Sequence, residues 1–331
     1  MKKLQSLLLT WEFLLVILLI IGIIIGASAS PYFMTGFNFY ALTSNIMEIA
    51  IMALPMTLII IAGEIDLSVA SVMGLSSVVL GLLWEKGNPM WLAIGAALVV
   101  GLIAGCFNGF LVTKLALPSL VISIGALALF RGLAYVVLGD QAVSSFPSDF
   151  TNFGFSAIPG TQLPWAGLIF AFLAIIFAVV LHFSKLGRQL YTIGNNKEAA
   201  RFSGINVSRI KLVLFILSGV IAALAGIIYT ARFSSARPDN ASGFELEVVT
   251  VVLLGGVNIF GGRGSLLGVI LAIFIIGLLQ NVLGLLNISG DIQSLALGLL
   301  LIISVLGPNL ARRIQVVIAR RRPAVGSSKQ L

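Results

Sequence analysis

Four ionisable side chains interrupt long apolar stretches of this sequence: Glu48, Glu64, Asp66 and Arg131. A charged group costs about 2.5–3.5 kcal/mol at the centre of a lipid-spanning helix, so each one needs a partner or a function. Asp66, together with Ser68, is expected either to cap the start of a helix or to line a solute path. Arg131 is expected either to pair with a carboxylate such as Glu48 or to extend to the outer interface.

Neutral polar side chains lie in the same stretches. Asparagine and glutamine both donate and accept hydrogen bonds, which suits hydroxyl-rich solutes, but the same groups also join neighbouring helices. The set is polar and mostly uncharged, which favours a sugar over an ion as the solute. The candidate translocation path consists of these residues: Asn45, Glu48, Asp66, Ser68, Asn108, Arg131 and Asn281.

No residue pattern for catalysis or for nucleotide binding is found. Cys106 is the only cysteine and His182 the only histidine, so the sequence offers no cysteine cluster, intrachain disulfide or catalytic triad. A Gly-x-x-x-x-Gly-Lys-Ser/Thr phosphate loop is absent, and the glycine-rich stretch 255–264 lacks the Lys-Ser/Thr that holds phosphate and magnesium. We therefore expect neither an enzyme nor a cofactor in this chain.

The surrounding elements are expected to be membrane-spanning helices. Of 331 residues, 59% are hydrophobic and 10% are charged, which excludes an ordinary soluble fold. About 20 apolar residues cross a bilayer as a helix. Residues 1–331 are thus predicted to form a single all-α polytopic membrane domain of about ten transmembrane helices, with apolar segments at 11–29, 42–63, 68–84, 91–112, 118–138, 164–183, 212–231, 247–260, 265–286 and 292–308.

The net charge of +8 follows the topology instead of indicating nucleic acid. If the N-terminus, with Lys2 and Lys3, is cytoplasmic and retained, sixteen of the twenty basic residues fall on the cytoplasmic side. They include the six of the loop 184–211 and those of the tail 311–331. Both termini are therefore predicted to be cytoplasmic. The four basic residues left outside or within the membrane are Lys86, Arg131, Arg232 and Arg237.

The eighth apolar segment, 247–260, is short and contains Gly255 and Gly256. These features are typical of a broken or re-entrant helix, which lipid tolerates only where protein covers the free backbone groups. If this segment crosses the membrane, the total is ten crossings and the basic tail 311–331 lies on the cytoplasmic side with the N-terminus.

The polar loop 184–211 is expected to be structured. Asn196 can cap a helix, Glu198 favours its first turn and Gly204 can end it, which predicts a short helix from about Lys197 to Ser203. Its small alanines and its phenylalanine suit a groove on another protein, although such a helix can also lie on lipid headgroups.

Charged residues also crowd the loop before the eighth segment. Arg237, Asp239 and Glu245 are candidates for contact with an external solute-binding protein, because opposite charges steer such encounters. Ordinary solvated loop charges explain them equally well.

Four stretches in order resemble the ribose-type permease family of ATP-binding-cassette importers, within the branched-chain transport permease superfamily. They are Gly63–Ser68, Leu129–Leu133, Gly187–Ile205 and Gly255–Ser265, and the similarity extends over nearly the whole chain. The resemblance implies a type II importer fold and a solute of the ribose, rhamnose or autoinducer-2 class. Glu64 stands where the family usually has glycine, so no role transfers to it.

The resemblance further implies that the short helix in loop 184–211 is the coupling helix, which docks on a separate ATPase subunit. Its implied partners are ATP-binding-cassette ATPases, a second permease copy or homologue, and a periplasmic or lipid-anchored solute-binding protein in a bacterial cytoplasmic membrane. An ion-coupled secondary transporter and a branched-chain amino-acid permease are the alternatives. The implied ATPase-coupling residues are Asn196, Glu198, Ala199, Ala200, Arg201, Ser203, Gly204 and Ile205.

Overall fold

A computed structural model describes the backbone of residues 11–321 and the side chains of residues 11–304 and 306. Apart from two isolated β-bridges, its regular elements are all α-helices, which confirms the all-helical prediction. Lys2 and Lys3, and the side chains of the basic tail 311–331, lie outside the described residues.

Thirteen helices are found in the described part of the chain. They are α1 (Trp11–Ala29), α2 (Gly36–Ile61), α3 (Val69–Glu85), α4 (Met90–Lys114), α5 (Ser119–Leu138), α6 (Ser148–Phe155), α7 (Trp165–Phe183), α8 (Lys185–Asn195), α9 (Lys197–Phe202), α10 (Val207–Phe233), α11 (Phe244–Leu254), α12 (Leu266–Leu285) and α13 (Gly290–Arg321).

Each of the ten predicted apolar segments overlaps one of these helices. Among the described residues, seven helices are long and apolar enough to cross a membrane: α1, α2, α4, α5, α7, α10 and α12. Two more apolar helices are shorter, α3 and the part of α13 over 290–304. The eighth segment forms only the 11-residue α11, which ends at Leu254 before Gly256 adopts a positive φ of 86°.

The long helices α2 and α10 form the centre of the bundle. In the most apolar stretch of 18 residues in α2, 94% of the residues are buried within this one chain, because α10, α7, α11 and α12 all pack around the helix. Helix α10 approaches α4 closely through glycines: a Cβ on Gly101 would lie 2.3 Å from the Gly219 carbonyl oxygen. Small residues at such contacts allow helices to pack tightly where lipid provides no hydrophobic driving force.

Two non-helical segments enter the bundle next to these long helices. Residues 62–68 connect α2 to α3, and residues 234–243 connect α10 to α11. Both carry buried polar side chains, including Asp66 at 2% exposure and Asn240 at 7%. Because free backbone groups are costly away from water, side chains must satisfy them, and these contacts position the site described below.

Candidate functional site

The predicted short helix in loop 184–211 is present as α9. The Asn196 side chain accepts a hydrogen bond from the Ala199 amide at 3.0 Å, and Gly204 follows the helix with a φ of +77°. An N-cap side chain and a left-handed glycine fix the two ends of the helix. The preceding helix, α8, was not predicted from the sequence.

Helix α9 presents one face outward and packs the other on this chain. Ala200 is fully buried against Ile193 and Val207, so it supports the helix and is not available for contact with another protein. Phe202 is 90% exposed, and Glu198 forms an exposed ion pair with Arg201 at 3.2 Å. Of the remaining predicted coupling residues, Asn196, Ala199, Ser203 and Gly204 are exposed and Ile205 is half-buried.

Three of the four stretches that carried the family resemblance meet beside α8, in what we call the glycine junction: Gly63, Gly194, Gly261 and Gly262. The Gly262 amide donates to the Ile61 carbonyl at 2.8 Å. A Cβ on Gly194 would lie 1.9 Å from that same oxygen, and one on Gly261 would lie 2.9 Å from Gly63. Only glycine permits this approach of three backbones, which joins loop 184–211 to the end of α2.

Two side chains of α8 strengthen the junction. Tyr191 donates its hydroxyl to the Gly264 carbonyl at 2.8 Å, and the Asn195 amide donates to the Gly262 carbonyl at 3.3 Å. Burial raises the pKa of Tyr191 above its ordinary value, so the hydroxyl keeps the proton that it donates. The segment 255–265 is thus held to α8 by side chains as well as by backbone packing.

An ion pair beside the junction was not foreseen. Lys211, expected in the cytoplasmic loop, lies in the second turn of α10 with 5% exposure and pairs with Glu64 of segment 62–68. Two features of the sequence could have indicated this pair. Lys211 and Glu64 have opposite charges and each lies at the edge of an apolar stretch, and Glu64 stands where the family usually has glycine. The pair joins the helix that leaves loop 184–211 to the break between α2 and α3.

Replacing Lys211 with methionine is expected to destabilise the protein more than replacing both partners, Glu64→Gln with Lys211→Met. Removing one member of a buried pair leaves an uncompensated charge, at a cost of about 3–5 kcal/mol for a fully buried pair and less here, because the Glu64 side chain is 14% exposed. Thermal unfolding of the two variants in detergent measures the difference. Equal unfolding temperatures would contradict a coupled pair.

The predicted path residues Asp66, Ser68 and Asn108 come together in a buried hydrogen-bond network, although the Asn108 side-chain oxygen has no partner within the described part of the chain. Asp66 accepts from the Ser68 amide at 3.0 Å, from the Ser68 hydroxyl at 2.6 Å and from the Ser218 hydroxyl at 2.9 Å. Asn108 donates to the Ser68 hydroxyl at 2.7 Å. All are at most 2% exposed, and the Ser68 side chain makes no capping bond to α3. The network joins segment 62–68 to α4 and α10.

The suggested pairing of Arg131 with Glu48 is wrong. Glu48, fully buried in α2, binds Arg232 of α10 through two bonds of 2.8 and 3.2 Å. Arg131 instead donates to backbone carbonyls: those of Pro238 and Asn240 in segment 234–243, the latter at 2.7 Å. These carbonyl groups lie in a non-helical segment that enters the bundle, and Arg131 supplies the hydrogen-bond donor that they need there.

Of the two remaining predicted path residues, Asn45 contacts the Glu48 pair and Asn281 contacts another residue of α2. Arg232 also donates to the Asn45 side-chain oxygen at 2.8 Å. Asn281 of α12 exchanges two hydrogen bonds with Asn38 of α2, at 2.8 and 3.0 Å. The predicted path residues therefore form two groups, one around Asp66 and one around Glu48, and Arg131 lies between α3 and segment 234–243.

The predicted contact residues for a solute-binding protein lie together on the surface. Arg237 and Asp239 form a half-exposed ion pair of 2.9 Å, and this bond raises the pKa of Arg237. Glu245 lies half-buried in the first turn of α11. Over the described part of the chain, no three histidine, cysteine, aspartate or glutamate side chains gather as a metal site would require.

An all-helical bundle with broken segments and a structured polar loop is typical of multi-pass membrane transport proteins. The chain matches the family described as branched-chain amino acid transport system / permease component over residues 36–305, and it belongs to that family. The expected membership of the permease superfamily is thereby confirmed. No solved structure gives a significant match to the chain.

Curated relatives match nearly the whole chain, and those named here are each called autoinducer 2 import system permease protein LsrD. The protein of Klebsiella pneumoniae is 36% identical over 309 residues, which cover 92% of each chain. That of Photorhabdus temperata is 36% identical over 307 residues, covering 91% of this chain and 92% of the relative. That of Yersinia enterocolitica is 34% identical over 325 residues, covering 95% and 97%.

Proposed function

We propose that this chain is the transmembrane permease subunit of an ATP-binding-cassette importer for autoinducer-2 or a related sugar-like solute. The names of the relatives, which are autoinducer 2 import permeases, support the solute class. The observation that carries the coupling role is the glycine junction, where Gly194 meets Ile61 and Gly262. A force applied to α9 is transmitted there to α2 and to segment 255–265 by rigid backbone contacts.

The outward face of α9 is the proposed ATPase contact, with Phe202, Glu198 and Arg201 at its centre. An exposed phenylalanine flanked by charges fits a groove on a partner, with an apolar centre and a polar rim. Loop 184–211 and both termini then face the cytosol, and the Arg237–Asp239 pair faces the solute-binding protein. A second permease subunit completes the complex.

An ion-coupled transporter receives less support from the same residues. Its coupling carboxylate should be free to bind and release a cation within the membrane. Glu48 is instead paired with Arg232, and Asp66 accepts three hydrogen bonds from serines. Both carboxylates have structural partners that an exchanging ion would have to displace.

Replacing Phe202 with aspartate is expected to abolish uptake and ATPase association while leaving the permease folded in the membrane. Phe202 is 90% exposed, so the substitution removes the apolar centre of the contact and leaves the bundle intact. Co-purification of the ATPase and uptake of labelled autoinducer-2 are the measurements.

The matched control is Phe37→Asp, because Phe37 is 80% exposed at the start of α2, at the opposite end of that helix from the glycine junction. This control should keep the ATPase bound. Normal ATPase association in the Phe202 variant would overturn the coupling role of α9. Autoinducer-2 uptake that persists without any ATPase subunit would overturn the importer proposal itself.

A further inference from the structure

A polar cavity of about 360 Å³ lies between α2, α12 and α13. This volume is at the small end of the range of about 300–1,000 Å³ for small-molecule sites. Four of its eight lining residues carry neutral amides, and none carries an ionisable group. The lining residues are Leu42, Asn45, Gly277, Gln280, Asn281, Gly284, Leu285 and Gln293.

The cavity lies far from the glycine junction. Helix α12 starts next to the junction at Leu266, and Gln280 and Gly284 follow 14 and 18 residues later. At 1.5 Å of rise per residue, they lie roughly 21 and 27 Å along the helix. The cavity is therefore at the opposite end of the bundle from α9, where the proposed importer receives its solute.

The lining amides are held in place by contacts outside the cavity. The Asn45 oxygen accepts from Arg232 at 2.8 Å, and the Gln280 amide nitrogen donates to Glu247 at 3.1 Å. The Gln293 amide nitrogen donates to the Ile288 carbonyl at 3.0 Å. Fixed side chains lose little freedom on binding a solute, which favours affinity.

In each of these three amide groups, the other polar atom can still form a hydrogen bond with a solute. Asn45 keeps an NH₂ group that can donate, whereas Gln280 and Gln293 each keep a carbonyl oxygen that can accept. A hydroxyl group both donates and accepts, so this combination matches a molecule with several hydroxyls. The lack of ionisable lining residues matches an uncharged one.

We propose that this cavity binds a neutral, polyhydroxylated solute on the receiving side of the permease. The inference rests on the proposed function and adds the residues that hold the solute. Asn45 donates to a solute hydroxyl, and Gln280 and Gln293 accept from others. The buried Glu48–Arg232 pair acts through Asn45 by keeping its NH₂ group directed into the cavity.

Filling the cavity tests the proposal without disturbing the fold. A Cβ on Gly284 would meet no atom within 4 Å, so Gly284→Leu is expected to fit without a backbone clash and to place its side chain in the cavity that Gly284 lines. Gly95→Leu is the matched control, because Gly95 of α4 is equally free of neighbours and lies outside the cavity. Both variants are assembled with the ATPase and the binding protein in vesicles, and uptake of labelled autoinducer-2 and D-ribose is compared with ATP hydrolysis.

Gly284→Leu is expected to lower uptake at least about tenfold while Gly95→Leu transports normally, because a side chain in a fitted site excludes its ligand. Gln280→Leu, which keeps the size but removes the acceptor, is expected to raise the KM of uptake about three- to tenfold. Normal uptake and KM in both cavity variants would overturn the cavity proposal and leave the importer intact. Absence of uptake by the unchanged complex would instead overturn the proposed function.

Discussion

Replacing Glu48 with alanine is expected to lower the free energy of unfolding by about 3–5 kcal/mol, because Arg232 would keep its charge in the bundle without a partner. Glu48 is fully buried and binds the guanidinium of Arg232 through both oxygens. The measurement is thermal or denaturant unfolding of the purified permease in detergent.

The exposed pair of Glu198 and Arg201 provides the matched control. Both side chains are about half exposed or more, and surface pairs contribute about 0–1 kcal/mol, so Glu198→Ala should leave unfolding nearly unchanged. The double variant Glu48→Ala with Arg232→Met should be more stable than Glu48→Ala alone, since it removes the unpaired charge. If Glu48→Ala alone is as stable as the unchanged protein, the Glu48–Arg232 pair is not buried as described.

Replacing Gly194 with alanine is expected to separate α8 from the end of α2 and to uncouple ATP hydrolysis from uptake. The added Cβ would lie 1.9 Å from the Ile61 carbonyl oxygen and 2.3 Å from the Gly262 nitrogen, and backbone cannot move aside as a side chain can. Overpacking typically costs about 1–3 kcal/mol, which exceeds the 0.5–1 kcal/mol that alanine adds to a helix. Hydrogen exchange over 185–206, measured together with uptake, reports the separation.

Gly132→Ala is the control for this substitution, because Gly132 also lies within a helix and has no atom within 4 Å of its Cβ position. The hydrogen exchange of 185–206 and the uptake rate of this control should equal those of the unchanged protein. If residues 185–206 are protected from hydrogen exchange as strongly in the Gly194→Ala variant as in the unchanged protein, the three backbones do not meet as described.

Local features of the coupling segment were predictable because they depend on neighbours in the sequence. The cap of Asn196 on Ala199 spans three residues, and Gly204 ends the helix through its own backbone angle. The burial of Ala200 was not predictable in this way. It depends on Ile193 and Val207, and hence on how α8, α9 and α10 fold back on one another.

The amino-acid sequence was sufficient to predict a multi-pass membrane protein and its helical segments. Runs of about 20 apolar residues are typical of membrane-spanning helices, which satisfy their own backbone groups in lipid. The sequence also located the buried carboxylates Glu48 and Asp66, but not the buried Lys211, which it placed in the cytoplasmic loop. The partners of the buried charges became clear only from the packing of the helices: Arg232 binds Glu48 across 184 positions of the chain, and Lys211 binds Glu64 across 147. Such pairs depend on the rotation, tilt and neighbours of each helix, which the order of residues along a single helix does not specify.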